Sequence, residues 1–271
     1  MSADVSTALS ITPIPAFADN YIWAMVAGSK CVVVDPGDAA PVLKFLAELK
    51  LTLNAILVTH HHADHVGGVD ELTARWPVPV YGPAAENIAC VTHALREGDT
   101  VALPAFVDEP FCVIEVPGHT RGHIAYLSGN ILFCGDTLFA AGCGRLFEGT
   151  AAQLHDSLTR LAALPETTRV FCTHEYTLSN LRFAMAVDAE NIALSERVFV
   201  EQERRARSEP TLPSSIALER ATNPFLRCTT SGIIASARTY ARAHANLQDA
   251  AMSNEVNVFA ALRQWKNEFR A

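Results

Sequence analysis

The chain of 271 residues is defined first by what it lacks. No stretch approaches the roughly 18 uninterrupted apolar residues of a membrane-crossing helix. Mean hydropathy is only +0.15, so no membrane association is expected. The start, Met1-Ser2-Ala3-Asp4-Val5, has no basic region leading into an apolar one, which argues against a secretory signal. The seven cysteines are an odd number and no two have C-x-x-C spacing. With no signal, that points to reduced thiols in a cytoplasmic protein rather than a disulfide framework. There is no Gly-x-Ser-x-Gly elbow, which weakens a serine-hydrolase reading. No basic stripe interleaved with aromatics exists, and an isoelectric point near 5.7 weighs against nucleic-acid binding. There is no internal repeat, and a monomer is the expected state.

A hydrophobic content of 49% is ample for a buried core in one domain or two. Strands are expected at Ile11 to Phe17, Tyr21 to Val26 and Cys31 to Val34, separated by turn residues. Asp38 is placed to cap a helix running through Leu43, Leu46 and Leu49, with Pro41 in its first turn. Strands and helices then alternate up to Val170-Phe171, which argues for two sheets with helices outside. Beyond about residue 177 the strand signal fades. Leu181 to Arg207 has helix-forming composition, Pro210 and Pro213 break it, and helices follow near Ile233 to Ala251 and Glu255 to Phe269. Charge divides similarly: residues 201–271 carry a balance of +3 and residues 1–200 one of −11. A less acidic helical part suits an anionic substrate, although from charge alone a solvated helical surface is the favoured reading.

The most informative segment is Thr59-His60-His61-His62-Ala63-Asp64-His65. Its core, His-x-His-x-Asp-His, follows the apolar run Ala55-Ile56-Leu57-Val58 and precedes the helix-like Val69-Asp70-Glu71-Leu72. The sequence therefore places His60, His62, Asp64 and His65 on a loop at the end of a strand. Imidazole and carboxylate donors suit Zn²⁺, Fe²⁺ or Mn²⁺, and donor type alone does not choose among them. Further candidates stand at the ends of later apolar runs: His119 after Phe111 to Val116, Asp136 after Ile131-Leu132-Phe133, and His174 after Val170-Phe171-Cys172. Seven ligands exceed one tetrahedral ion and fit two ions sharing a carboxylate.

This pattern resembles the metallo-β-lactamase superfamily. Gly135-Asp136-Thr137-Leu138-Phe139, Gly142-Cys143-Gly144-Arg145-Leu146-Phe147-Glu148-Gly149-Thr150, Thr173-His174-Glu175-Tyr176-Thr177, Asn223-Pro224-Phe225-Leu226-Arg227 and Arg263-x-x-Lys266 are similar to the glyoxalase II (hydroxyacylglutathione hydrolase) branch, from about residue 10 to the end. The resemblance implies a four-layer αββα sandwich over 1–176 and an α-helical substrate-binding domain over 177–271. It implies two divalent ions per chain, with zinc expected and iron or manganese as the other candidates. His60, His62 and His119 would hold one ion, Asp64, His65 and His174 the other, with Asp136 bridging and Asp64 and Asp136 as the catalytic carboxylates. A hydroxide held between the ions would attack S-D-lactoylglutathione, releasing glutathione and D-lactate, the second step of methylglyoxal detoxification. By the same resemblance Arg145, Tyr176, Arg263 and Lys266 hold the glutathione moiety. Arg145 stands where many relatives have Lys, and Phe147 where some have Tyr. The competing enzyme class is a glutathione persulfide dioxygenase with a single iron on the same fold. A non-enzymatic metal module is disfavoured because a structural zinc site closes with four ligands.

Other residues receive plainer readings. In an extended loop, alternation turns His61 away from His60 and His62 towards packing or ligand support. His123 either orients a ligand or serves the core. Asp35 reads first as a turn former and second as a group supporting a ligand. His93, His155 and His244 read as structural or exposed, and Cys134, Cys143 and Cys172 as small apolar packing.

Overall fold

The computed structural model describes residues 9–244 and 254–270. The chain forms two compact units, one from the chain up to Glu115 together with Gly122–Gly135, the other from Val116–Arg121 together with the chain from Asp136 onward.

The first unit begins with β1 (Ser10–Ala16), β2 (Asn20–Ala27) and β3 (Lys30–Val34), an antiparallel meander pairing Ile14 with Ile22 and Trp23 with Val34. α1 (Ala39–Glu48) then crosses over to β4 (Thr52–Leu57), which pairs in parallel with β3, as a helical crossover requires. The Asp38 side chain caps α1 by accepting from the Ala40 N–H, as its position before the apolar stripe predicts. After α2 (Ala63–Val66) and α3 (Val69–Arg75), the strands β5 (Val80–Pro83) and β6 (His93–Leu95) extend the parallel side. Strand alternation explains the core: Ile22, Ala24, Val33 and Ile56 pack against Val42, Leu46 and Leu72 of the helices. Their neighbours Trp23, Met25, Val32 and Leu57 are equally buried on the opposite face. A second set of antiparallel strands follows: β7 (Thr100–Val101), β8 (Phe111–Glu115), β9 (Ile124–Ser128) and β10 (Ile131–Gly135). The buried Tyr126 of β9 donates its hydroxyl to Val58 O at 2.8 Å, and burial pushes its ionisation well above the usual phenol range.

The second unit holds the short hairpin β11 (Leu138–Phe139) and β12 (Gly142–Cys143), then α4 (Ala151–Ala162) and β13 (Arg169–Cys172). It continues with α5 (Thr177–Val187), α6 (Ile192–Ala206), β14 (Ser214–Ser215) and α7 (Ile216–Thr222). A 3₁₀ turn (Pro224–Leu226), α8 (Ser231–Ala243) and α9 (Glu255–Glu268) close it. The single helical stretch expected over Leu181 to Arg207 is two helices. Asp188 closes α5, and the Asn191 side chain starts a new helix by accepting from Leu194 N. The expected helix from Ile233 ends at Ala243, and the part of that expectation over 245–251 lies outside the described residues. Phe183, Phe225 and Phe259 form an aromatic core here, flanked by Trp265.

Asp64 and His65 do not sit on a loop as the sequence reading expected. They occupy α2, one helical turn closed by His65 N to His62 O and Gly67 N to Ala63 O bonds of 2.9 and 2.8 Å. That turn seats directly on Gly37, where an added Cβ would lie 1.9 Å from Asp64 O. Cys134, Cys143 and Cys172 are buried, as expected for packing residues. Burial pushes the Cys31 and Cys228 thiols up to about 12 and raises Cys143 as well. Among the described residues no helix is long and apolar enough to cross a membrane.

Gly37→Ala is expected to displace α2. The methyl has only backbone to push against, so loss of divalent-metal binding should exceed the fall in thermal stability, as read by metal titration beside thermal unfolding.

Candidate metal centre

In the first unit the ligand candidates are organised around one buried carboxylate. Asp35 directly follows β3 with φ +51°, a left-handed conformation that Asp tolerates better than most residues. Its Oδ1 accepts from Thr59 N and its Oδ2 from the Thr59 hydroxyl, both at 2.8 Å. Because that hydroxyl donates to the carboxylate, Thr59 Oγ1 accepts from His60 Nδ1 at 3.1 Å. His60 therefore carries its proton on Nδ1 and presents Nε2 as a lone pair, 3.0 Å from His62 Nδ1. Asp35 Oδ2 also lies 3.0 Å from His65 Nδ1, so the other ring nitrogen, Nε2, faces Asp64 Oδ2 at 3.7 Å. Asn20, at the start of β2, donates to that same Asp64 oxygen at 3.0 Å. The His123 ring stacks on His60 at 4.6 Å, which gives it a supporting role. Gly135, at φ +46°, leaves room for that stack: a Cβ there would come within 2.8 Å of the His123 ring and 2.3 Å of Thr59 Oγ1.

His61 points elsewhere. Its backbone N–H and Nδ1 both meet Glu86 Oε2, at 2.6 and 2.8 Å, while Glu86 Oε1 accepts from Gly122 N. Glu86 thus braces the histidine loop from behind. Sequence reasoning missed it, because nothing local marks a carboxylate whose partners lie 25 and 36 residues away. Asn20 was missed too, and only its place in the turn Asp19-Asn20-Tyr21 hinted at more than β-strand. His93 lies against Tyr81 and His244 against Tyr240, and His155 packs on Phe259.

The second unit brings three further candidates together. Asp136 Oδ2 lies 3.4 Å from His119 Nε2 and 3.3 Å from His174 Nε2, with all three side chains buried. His119 follows the Gly118 turn packed on α4, where Ser157 donates to Pro117 O at 2.8 Å. Its Nδ1 donates to the Arg145 carbonyl at 2.9 Å, which directs Nε2 at the carboxylate. Imidazole Nε2 atoms around a carboxylate oxygen, with an acceptor behind the far nitrogen, are the donor set that a divalent cation of the zinc group requires. The residues present fit such an ion.

The expected substrate residues also lie in the second unit. Tyr176 is 37% exposed and stacks flat on His174, 4.6 Å between centroids. Arg145 is exposed, and Phe147, 63% exposed, sets its ring edge-on to His119 at 5.2 Å. Arg263 and Lys266 share α9, yet their surroundings differ. Arg263 is only 4% exposed, lies over the Phe225 ring, and donates to Cys143 O at 2.8 Å, Gly144 O at 3.4 Å and Asn267 at 3.0 Å. Lys266 is half-buried, with Nζ 3.1 Å from Ser179 O. Burial, then the charges of Arg263, Arg182 and Arg145, pull its ammonium down to about 8.

Comparison with known proteins decides the family. Residues 18–174 match the model of the metallo-β-lactamase superfamily, and residues 175–269 match that of the hydroxyacylglutathione hydrolase C-terminus. The chain belongs to the hydroxyacylglutathione hydrolase family of the metallo-β-lactamase superfamily. A protein named hydroxyacylglutathione hydrolase from Nitrosomonas europaea is 51% identical over 97% of each chain. One of the same name from Cupriavidus metallidurans is 50% identical over 97% of this chain and all of its own. Among solved structures, ETHE1 from Myxococcus xanthus superposes with a TM-score of 0.61 at 27% identity, covering 93% of this chain and 99% of its own. TTHA1623, solved in a di-iron-bound form, gives 0.56 at 27% identity over 79% of this chain and all of its own. The fold is accordingly the αββα sandwich of the superfamily followed by a helical C-terminal region, and the hydroxyacylglutathione hydrolase family makes this chain a metal-dependent hydrolase.

Asp35→Asn keeps the shape of the carboxylate and removes its charge. Loss of such a supporting group typically costs 10–100-fold in metal affinity, and a drop on the order of tenfold is expected here in a chelator competition. An unchanged affinity would remove Asp35 from the metal's support.

Proposed function

We propose that this chain hydrolyses S-D-lactoylglutathione and related 2-hydroxyacylglutathione thioesters to glutathione and the 2-hydroxy acid. The carrying observation is the placement of one Asp136 oxygen within 3.4 Å of two imidazole Nε2 atoms, in a chain about 50% identical to proteins named for this reaction. His60, His62 and His119 would hold one ion, Asp64, His65 and His174 a second, and Asp136 both. Zinc is favoured, iron and manganese being compatible with the same donors, and the di-iron-bound relative supports a two-ion site. When bound, the ions supply a water acidified towards neutral pH and a Lewis acid for the thioester carbonyl.

The protein's own groups do the rest. Asp35, Thr59 and the Arg145 carbonyl hold His60, His65 and His119 with Nε2 available. Asn20 steadies Asp64. The helical region from residue 177 provides the glutathione site in this reading. Lys266 offers a positive charge for a glutathione carboxylate, Arg145 and Tyr176 add a cation and a hydroxyl, and Arg263 contributes charge while shaping the hairpin before Arg145. The thiolate leaves without a dedicated general acid. The single-iron dioxygenase alternative has weaker support, since relatives at about 50% identity carry the hydrolase name.

Two outcomes test this reading. Asp136→Ala should lower metal content per chain and thioester turnover together, kcat falling on the order of 100-fold or more. Two tightly held ions with near-normal kcat would end the shared-carboxylate assignment.

Lys266 loses its charge as pH rises through about 8, so the cationic form that binds a carboxylate dominates below that value. kcat/KM for a glutathione thioester should therefore decline above pH 8 while kcat, set in the complex, changes little. Lys266→Met should raise KM roughly tenfold at pH 7, the effect of one charge-assisted contact, and abolish that alkaline decline.

A further inference from the structure

The second unit contains a buried ionic network that touches no substrate or metal candidate directly. Glu219 of α7 is fully buried. Its Oε1 accepts from Arg197 of α6 at 2.7 Å and from the Ser214 hydroxyl. Arg197 also donates to Thr222 at 2.6 Å and to Ser214 at 3.1 Å. Glu219 Oε2 accepts from Asn223 Nδ2 at 2.9 Å and from the backbone N–H of Ala141 at 2.8 Å.

Ala141 lies in the β11–β12 turn with φ +54°, where a residue with a Cβ is strained and must be held from outside. The hold is dense. Asn223 Nδ2 reaches Gly142 O at 2.9 Å and Phe139 O at 3.3 Å, and Asn180 of α5 donates to Ala140 O at 3.0 Å. Arg263 takes Cys143 O and Gly144 O, so every residue from Phe139 to Gly144 has a backbone group bound by a buried side chain. The next carbonyl is that of Arg145, which accepts from His119 Nδ1.

We propose that Glu219, with Asn223, is a positioning residue: it fixes the Phe139–Arg145 segment so that the Arg145 carbonyl holds the His119 ring through Nδ1, with Nε2 turned towards Asp136. The inference rests on the metallohydrolase reading for its purpose. Its geometry belongs to the protein without metal. A buried carboxylate suits this task because it accepts from four donors at once, and removing its charge leaves the Arg197 guanidinium with only the more distant Glu201 carboxylate, 4.0 Å away, as counter-ion.

The test uses full-length protein, and Glu219→Gln is the primary variant. In the metal-free wild type, long-range ¹H–¹⁵N spectra of the histidine rings should show a His119 Nδ1 proton held in a hydrogen bond. In Glu219→Gln that hydrogen-bonded signal should be lost to exchange, and zinc affinity, read by chelator competition, should fall about tenfold. Asn180→Ala loosens the same segment while leaving the ionic network intact, and should move both readouts in the same direction by a smaller factor. If Glu219→Gln does not fold, Asn180→Ala decides. A merely structural network would lower the unfolding temperature and leave the folded protein with the wild-type His119 signal and zinc affinity, and that result overturns the proposal. Wild-type protein that binds no zinc and cleaves no glutathione thioester would instead overturn the proposed function, with the His119 signal of metal-free protein still deciding the positioning role.

Discussion

One buried carboxylate, that of Asp35, organises the first unit's ligand candidates. An ionised group removed from water is tolerated only when donors replace the lost hydration. Thr59 supplies two of them and His65 faces the same oxygen at 3.0 Å. Satisfying Asp35 ties the end of β3 to the end of β4 and to α2, three elements that are separate in sequence. The tie has a chemical result as well as a structural one, because it determines which nitrogen of His60 carries the proton.

The second unit reaches the same result with a neutral acceptor. His119 is oriented by a backbone carbonyl, which adds no charge behind the imidazole, whereas Asp35 adds a full negative charge behind His65. A carboxylate partner raises the basicity of a ligand more than a carbonyl does. A carbonyl can only be as fixed as the chain that bears it, and this accounts for the concentration of Arg197, Glu219, Asn223, Asn180 and Arg263 around six residues of hairpin.

Much of this was legible in the sequence. The apolar runs ending in His60, His119, Asp136 and His174 mark strand or segment ends that bear donors, because alternating or continuous apolar patterns report burial directly. Asp38 was readable as a cap for the same local reason. What escaped depends on distant partners. α2 is a four-residue turn stabilised by its seat on Gly37, beyond any periodicity. Glu86 looks like an ordinary surface acid until the chain brings His61 and Gly122 to it. Arg263 reads as one half of a basic pair that holds the glutathione moiety, and its burial over Phe225 follows only from how α9 packs. Asp35 carried both of its readings, since the left-handed turn and the buried anchor are the same residue.

The thiols bear on durability. Cysteine reacts with electrophiles and oxidants through its thiolate. With Cys31 and Cys228 pushed up to about 12, very little of either thiol carries that anion at pH 7. Cys143, within the segment that orients His119, is raised by the same burial despite the nearby Arg263 charge. The packing that keeps these sulfurs as small apolar fillers thereby makes them chemically quiet. A fold so arranged resists alkylation and oxidation at the positions where modification would most disturb it.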